Sequence, residues 1–114
     1  RADTVQRLGL DLAEASDFPE HLRKEILRTP EEQRQSGLDA RITFSAKETV
    51  FKAFYPEVGS YFGFDAVDVA PALSDGRFDI RLRRALGTCP AGTELQGAVL
   101  ILDNRLVTLL AVHA

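Results

Sequence analysis

Residues 43–56 read TFSAKETVFKAFYP, and the interpretation of the fold rests on this stretch. Its residues are helix formers or helix-neutral, and Pro56 disfavours the helical conformation for the residue before it. We therefore predict a helix over residues 43–55. A turn over residues 36–39 precedes it, and an aromatic, glycine-containing loop over residues 57–63 follows it.

Charged side chains are grouped on one side of this predicted helix. Phe44, Glu48 and Lys52 lie on neighbouring turns of one face, and Lys47 lies about 100° round the axis from Glu48. One carboxylate between two ammonium groups suits an anionic ligand, with a hard cation bridging its phosphates to the carboxylate. The spacing alone favours an ordinary structural role, either a solvated Glu48–Lys52 pair or a capping box between Ser45 and Glu48.

Upstream of the helix, residues 4–12 have the period of two that predicts a strand. Leucines at positions 8, 10 and 12 share one face of that strand, and Gly9 and Asp11 alternate with them. Asp11 is therefore expected on the other face, near the end of the strand.

Two helix-start signals lie between the strand and the long helix. The first is at Asp17, just before Phe18-Pro19. At the second, Thr29 is suited to cap a helix whose first position is Pro30, with Glu32 completing a capping box.

The rest of the chain is typical of a β-meander. Strands are predicted over residues 64–70, 77–84, 97–102 and 105–113, with a hairpin at Asp103-Asn104. A strand, then helices, then antiparallel strands indicates an α+β fold, and the 114 residues fit one domain, residues 1–114.

Composition excludes several functional classes. The net charge of -3 does not favour binding to nucleic acid or to a membrane surface, and no apolar run is long enough to span a bilayer. The one cysteine, Cys89, cannot form an internal disulfide, which favours the cytoplasm. The chain begins with Arg1 and contains no methionine, so we expect it to be part of a longer protein.

The residue identities in the helix resemble a known signature. The series Phe44-Ser-Ala-Lys47-Glu48-Thr-x-x-Lys52 resembles the motif of 4′-phosphopantetheinyl transferases, and its extension to Pro56 resembles the subgroup related to enterobactin synthetase component D. Gly9-Leu10-Asp11 is similar to a second family motif, glycine–apolar–aspartate–any–glutamate on a strand. The resemblance covers about residues 5–70 and implies the C-terminal half of a two-half transferase.

The resemblance implies magnesium-dependent transfer of the 4′-phosphopantetheine arm of coenzyme A to a serine of an apo acyl or peptidyl carrier protein, with release of 3′,5′-ADP. It implies that Asp11 and Glu48 bind magnesium and that Glu48 also helps to deprotonate the serine. Lys47 and Lys52 correspond to contacts with coenzyme A phosphates, Lys52 being catalytic with Glu48. Phe44 corresponds to the aromatic residue that packs near the site.

The sequence departs from the family at two points. Ala13 stands where the family has a second carboxylate, and Glu14 is expected on the opposite strand face unless a bulge re-aims it. The nucleotide-binding N-terminal half is not visible, so that half or a second subunit is expected as a partner. Two alternatives therefore stay open: a catalytically impaired fragment or carrier-binding module, and a stand-alone homo-oligomeric holo-acyl-carrier-protein synthase.

Overall fold

The secondary structure follows the predicted order of strand, helices and strands. The computed structural model describes residues 5–15, 18–35, 37–60 and 62–113. The elements are β1 (Val5–Glu14), a 3₁₀ turn (Glu20–Leu22), α1 (Arg23–Ile26), α2 (Pro30–Gln33), α3 (Gly37–Val58), β2 (Val67–Ala72), β3 (Arg77–Leu82), β4 (Glu94–Leu102) and β5 (Arg105–His113). The α+β prediction is confirmed, and no helix in these ranges is long and apolar enough to cross a membrane.

All five strands form one antiparallel sheet in the order β1-β5-β4-β3-β2. The last four strands are a meander, as predicted, and β1 pairs with β5 at the edge. Asp103 and Asn104 both have positive φ, 51° and 62°, which is the backbone of the tight hairpin that this dipeptide predicts. Strand β2 begins three residues later than predicted and ends two residues later, while β4 begins three residues earlier and ends at residue 102 as predicted.

The long helix is longer than predicted at both ends. It begins at Gly37, so the turn predicted over residues 36–39 is wrong for positions 37–39, and Ser36 lies outside the described residues. Ala40 and Ile42 are fully buried, and this packing favours helix ahead of position 43. Pro56 lies inside the last turn, where it has no N–H to donate to the Lys52 carbonyl, and the helix ends two residues later at Val58. Ser45 and Glu48 are mid-helix, which rules out the capping box between them.

Helix α3 lies across β1 and β5, and Gly9 permits the close approach. A Cβ at Gly9 would overlap the Thr49 carbonyl oxygen and lie 3.0 Å from the Cβ of Ala53. The core between helix and sheet includes the fully buried side chains of Phe54, Phe78 and Leu110. Glycine at position 9 therefore sets the distance between β1 and the helix.

On β1 the small and polar residues face the helix, and the leucines face away from it. Gly9, Asp11 and Ala13 face the helix, while the leucines that alternate with them are exposed. We call the outward surface formed by Leu8, Leu10, Leu12, Leu100, Leu102 and Leu109 the leucine face. The predicted alternation is confirmed, but its apolar side is the one that lies away from the helix.

The short helices form a second, smaller cluster against the start of α3. Ile26 and Leu27 are fully buried there with Ala40. Thr29 Oγ1 accepts a hydrogen bond from the Glu32 N–H at 3.1 Å, which confirms the predicted cap. The capping box is incomplete because the Glu32 carboxylate accepts from the N–H of Arg28, at 2.9 Å, and not from Thr29. Asp17, the other predicted start, lies outside the described residues.

Candidate functional site

Asp11 and Lys52 meet where β1 crosses α3. The strand's period of two points Asp11 towards the helix, and Lys52 Nζ donates to Asp11 Oδ1 at 3.0 Å. The Asp11 side chain is 15% exposed and that of Lys52 is 50% exposed, so the pair lies at the rim of the core and is open to a ligand. Sequence positions 41 apart are thus brought together, as the two motifs predict.

A chain of buried hydroxyl groups holds the other oxygen of Asp11. Ser45 Oγ donates to Asp11 Oδ2 at 2.7 Å and lies 2.8 Å from Thr108 Oγ1. Thr108 Oγ1 in turn lies 2.6 Å from Thr49 Oγ1. All three hydroxyl side chains are buried, so both Asp11 oxygens are fixed by hydrogen bonds from α3.

Glu48 lies one helical turn before Lys52 and is half-buried. Burial raises the pKa of Glu48 above its ordinary value, the nearby Asp11 carboxylate raises it further, and Lys52 opposes both. Asp11, Glu48 and Lys52 are therefore close enough to influence one another. A carboxyl group with a raised pKa is a better proton acceptor, and two like charges at close range favour a bound cation.

Lys47 lies apart from this group, in the protein interior. Its Nζ donates to Glu32 Oε1 at 2.8 Å, to the Ile26 carbonyl at 2.8 Å and to the Phe64 carbonyl at 2.7 Å. The Lys47 and Glu32 side chains are 2% and 1% exposed. Burial lowers the pKa of Lys47, while the hydrogen bond and charge of Glu32 raise it. All three of the ammonium hydrogens are engaged, so a direct contact with a phosphate would require this cluster to open.

Phe44 occupies the small cluster beside the short helices. Its ring packs edge-on against Phe18 and Phe64, with centroid distances of 6.4 Å and 6.0 Å, and the Arg41 guanidinium lies 5.2 Å from its centroid. Phe44 therefore fixes the first half of α3 and lies one turn before Glu48.

The oxygen donors present fit magnesium only in part. Asp11 and Glu48 carry hard oxygen ligands, and magnesium often uses one or two carboxylates with substrate phosphate and water. Ala13 faces the same side as Asp11 and supplies no ligand, while Glu14 remains in regular register with Arg105 and so faces away. The register shift in β1 lies between Val5 and Arg7, so no bulge re-aims Glu14. Across the described ranges, no three His, Cys, Asp or Glu side chains form a metal-binding group.

The space beside Glu48 is small. A cavity of about 90 Å³ lies between α3 and the loop before β2, lined by Lys47, Glu48, Phe51, Phe62 and neighbouring apolar residues. Ligand sites usually enclose several hundred cubic ångströms. This cavity is therefore too small to enclose a nucleotide-sized molecule.

Sequence reasoning missed three residues that organise this region. Glu32 was interpreted as a capping residue, although it is the buried partner of Lys47. Ser45 was interpreted only as a cap, and Thr108 was not singled out. The one available signal was a threonine within the apolar strand Arg105–His113, where a hydroxyl needs a partner.

Comparison with known proteins agrees with the motifs. Residues 7–106 match the 4′-phosphopantetheinyl transferase superfamily. Over 90 residues the chain is 33% identical to the 4′-phosphopantetheinyl transferase Svp of Streptomyces mobaraensis, a match that covers 72% of this chain and 37% of Svp. Because the family match spans most of the sequence, this chain belongs to the 4′-phosphopantetheinyl transferase superfamily.

Proposed function

We propose that this chain carries the catalytic carboxylates of a magnesium-dependent phosphopantetheinyl transferase. The reaction moves 4′-phosphopantetheine from coenzyme A to a serine of an apo acyl or peptidyl carrier protein and releases 3′,5′-ADP. The observation that carries the proposal is the ion pair of Asp11 and Lys52 between β1 and α3, with Glu48 one helical turn away and near enough for the Asp11 carboxylate to raise its pKa. Membership of the superfamily and the likeness to Svp support the reaction class.

Glu48 is the proposed proton acceptor. The serine oxygen forms a bond to the β-phosphorus of coenzyme A, and the bond from that phosphorus to the bridging oxygen breaks. The electron pair leaves with 3′,5′-ADP, and the serine proton passes to the Glu48 carboxylate. The raised pKa of Glu48 supports this role, because a more basic carboxylate takes the proton more readily.

Lys52 is the proposed phosphate contact. Its half-exposed ammonium group lies at the open rim of the site, and its ion pair with Asp11 is easily exchanged for a phosphate. Asp11 and Glu48 would hold magnesium, which neutralises charge on the phosphates when bound. Lys47 would be a positioning residue: its ion pair with Glu32 would hold in place the turn of α3 that carries Glu48.

The proposal includes a second polypeptide surface. The chain spans 37% of the length of Svp. The small size of the cavity beside Glu48 supports a substrate site that is lined in part by residues of another polypeptide segment. We propose that residues 1–114 are the C-terminal half of a two-half, enterobactin synthetase component D-like transferase that acts in the cytoplasm. The missing N-terminal half or a second subunit would supply further cations for the nucleotide.

A second candidate is a catalytically impaired, carrier-binding half. Ala13 is the observation that favours it, since the helix-facing side of β1 offers one carboxylate where the family has two. Replacing Ala13 with glutamate separates the candidates. A gain in magnesium affinity favours an eroded enzyme, and the absence of any magnesium response in both forms favours a binding module.

The direct test follows the intact mass of an apo carrier protein incubated with coenzyme A, magnesium and this chain. A gain of one phosphopantetheine arm that is lost in Glu48→Ala would support the reaction, and no gain by this chain alone would mean that the N-terminal half or the carboxylate absent at Ala13 is required. Glu94→Ala is the matched control, because Glu94 is an exposed glutamate on β4. Coenzyme A affinity should fall in Lys52→Ala, and unchanged affinity would contradict the assignment of Lys52.

A further inference from the structure

Arg41 lies on the same side of α3 as Glu48 and Lys52. Positions 41, 48 and 52 are separated by seven and four residues, so their side chains lie within about 40° of one another round the helix axis. Lys52 joins Asp11 on β1, and Arg41 Nε donates to the Glu14 carbonyl at 2.8 Å, farther along the same strand. The rim between α3 and β1 therefore has a cation on either side of Glu48 along the helix.

The Arg41 guanidinium is fixed in place while most of its hydrogen-bond donors remain available. It lies 5.2 Å from the centroid of the Phe44 ring, and Phe44 is one turn before Glu48. Arg41 has five N–H donors, and only the one on Nε has an acceptor within the part of the chain that the structure describes. In the same ranges no carboxylate forms an ion pair with it. The two terminal nitrogens can therefore donate to a ligand without loss of an existing bond.

The carboxylate that is absent at Ala13 would have been close to this guanidinium. Ala13 comes directly before Glu14, whose carbonyl accepts from Arg41, and its side chain faces the helix like that of Asp11. A glutamate at position 13 would offer Arg41 a counter-charge, whereas alanine leaves its positive charge uncompensated at the rim. A planar guanidinium in this state is well suited to bind a phosphate through two parallel hydrogen bonds.

We propose that Arg41 binds the diphosphate of coenzyme A, opposite Lys52 across Glu48. This inference rests on the proposed function, in which Glu48 accepts the serine proton and the reacting phosphorus therefore lies near it. Lys52 must leave Asp11 to reach a phosphate, whereas Arg41 keeps its bond to the Glu14 carbonyl and donates from its terminal nitrogens. The charge of Arg41 is part of the folded chain, so it acts on the diphosphate with or without magnesium.

The other basic residues of α3 support this choice. The helix has three, at positions 41, 47 and 52. Lys47 is turned inward and donates to Glu32 and to two carbonyls, so it presents no donor at the rim. Arg41 is thus the second cation that α3 presents on the side of Glu48 and Lys52, although it lies outside the signature that begins at Phe44.

The test is calorimetric titration of the chain with coenzyme A in EDTA, so that no metal contributes to binding. We expect Arg41→Gln to weaken the affinity about tenfold, which corresponds to the loss of one charge-assisted hydrogen bond. Arg41→Lys keeps the charge and should recover part of the affinity. Dephospho-coenzyme A, which lacks the 3′-phosphate but keeps the diphosphate, should show the same loss in Arg41→Gln. Arg81→Gln is the matched control, because Arg81 is an exposed arginine on the face of β3 away from α3.

Equal affinity of the unchanged chain and Arg41→Gln for coenzyme A would overturn the proposal, and so would a chain that binds no coenzyme A in EDTA. A loss that disappears with dephospho-coenzyme A would assign Arg41 to the 3′-phosphate, and a loss of carrier affinity alone would assign it to the carrier protein; both results contradict the proposal. A merely structural role would lower the urea midpoint of Arg41→Gln and leave the affinity of the folded protein unchanged.

The two proposals can fail separately. If Lys52→Met weakens coenzyme A binding and Arg41→Gln does not, the transferase site stands and the role of Arg41 is wrong. If Arg41→Gln weakens binding but the carrier protein gains no phosphopantetheine arm even when the N-terminal half and a carboxylate at position 13 are supplied, the phosphate contact stands and the transfer reaction is wrong.

Discussion

Replacing Lys47 with methionine tests whether this lysine is structural. In the folded chain its ammonium group donates to Glu32 Oε1, the Ile26 carbonyl and the Phe64 carbonyl, at 2.8, 2.8 and 2.7 Å. Methionine keeps the volume but leaves the carboxylate, 1% exposed, without its cation. Breaking a buried ion pair by removing one partner costs about 3–5 kcal/mol. Since domains are stable by about 5–15 kcal/mol, this is a large fraction of the free energy of unfolding.

Urea unfolding followed by circular dichroism measures this loss. Lys52→Met is the matched control, because it removes a lysine of the same helix whose side chain is 50% exposed, and its ion pair should contribute under about 1 kcal/mol. The double variant Lys47→Met with Glu32→Gln should be more stable than Lys47→Met alone. Glutamine at position 32 removes the buried negative charge that has lost its lysine partner, and it keeps one acceptor oxygen for the N–H of Arg28 or Val69.

The reasoning is refuted if Lys47→Met is no less stable than Lys52→Met. If Lys47→Met also raises the KM for coenzyme A without unfolding the chain, Lys47 contacts the phosphates, as the family resemblance implies. Loss of stability with an unchanged KM in the folded fraction assigns Lys47 to the protein interior.

Three further changes test the site. Burial and Asp11 raise the pKa of Glu48, so the folded chain keeps this proton to higher pH than the unfolded chain and loses stability as pH rises through the raised pKa. In Glu48→Gln the thermal unfolding midpoint should no longer fall with pH in this range. Equal pH dependence in the two proteins would contradict this assignment. Gly9→Ala should cost about 1–3 kcal/mol in urea unfolding by forcing β1 from α3, and an unchanged midpoint would argue against this close packing. Ser45→Ala removes the 2.7 Å hydrogen bond to Asp11, which should lower the free energy of unfolding by about 1.5–3 kcal/mol and weaken Mn²⁺ binding in calorimetry. Ser45→Thr keeps a hydroxyl group and should retain part of the Mn²⁺ affinity.

The sequence predicts which side chains of this site share a face, but it does not predict which face is buried. The period of two in β1 and the helical spacing of Glu48 and Lys52 are local, so they predict which side chains share a face. Local periodicity does not tell which face of β1 is covered, and the leucines proved to be the exposed ones. That choice depends on α3 packing against Gly9, a contact with a partner about 40 residues away.

The Lys47–Glu32 pair was beyond prediction for the same kind of reason. A lysine and a glutamate 15 residues apart on different helices give no periodic signal, and charged residues are rarely fully buried. The sequence explained Glu32 as part of a capping box with Thr29. The structure confirms the bond from the Glu32 N–H to Thr29 Oγ1, but the Glu32 carboxylate does not complete the box. The burial of both side chains follows only from the packing of α1 and α2 onto α3.

The geometry of α3 explains why its two signature lysines have different surroundings. Lys47 and Lys52 are five residues apart, which is about 140° round the axis, so they cannot face one small ligand together. Glu48 and Lys52 are one turn apart, and Lys52 joins Asp11 at the rim while Lys47 turns inward to Glu32. Of these two lysines, the one at position 52 is available to a substrate with several phosphate charges. Under the proposed function, such a substrate would need further cations from another surface, and the exposed rim at Lys52 and Asp11 is where the two surfaces would meet.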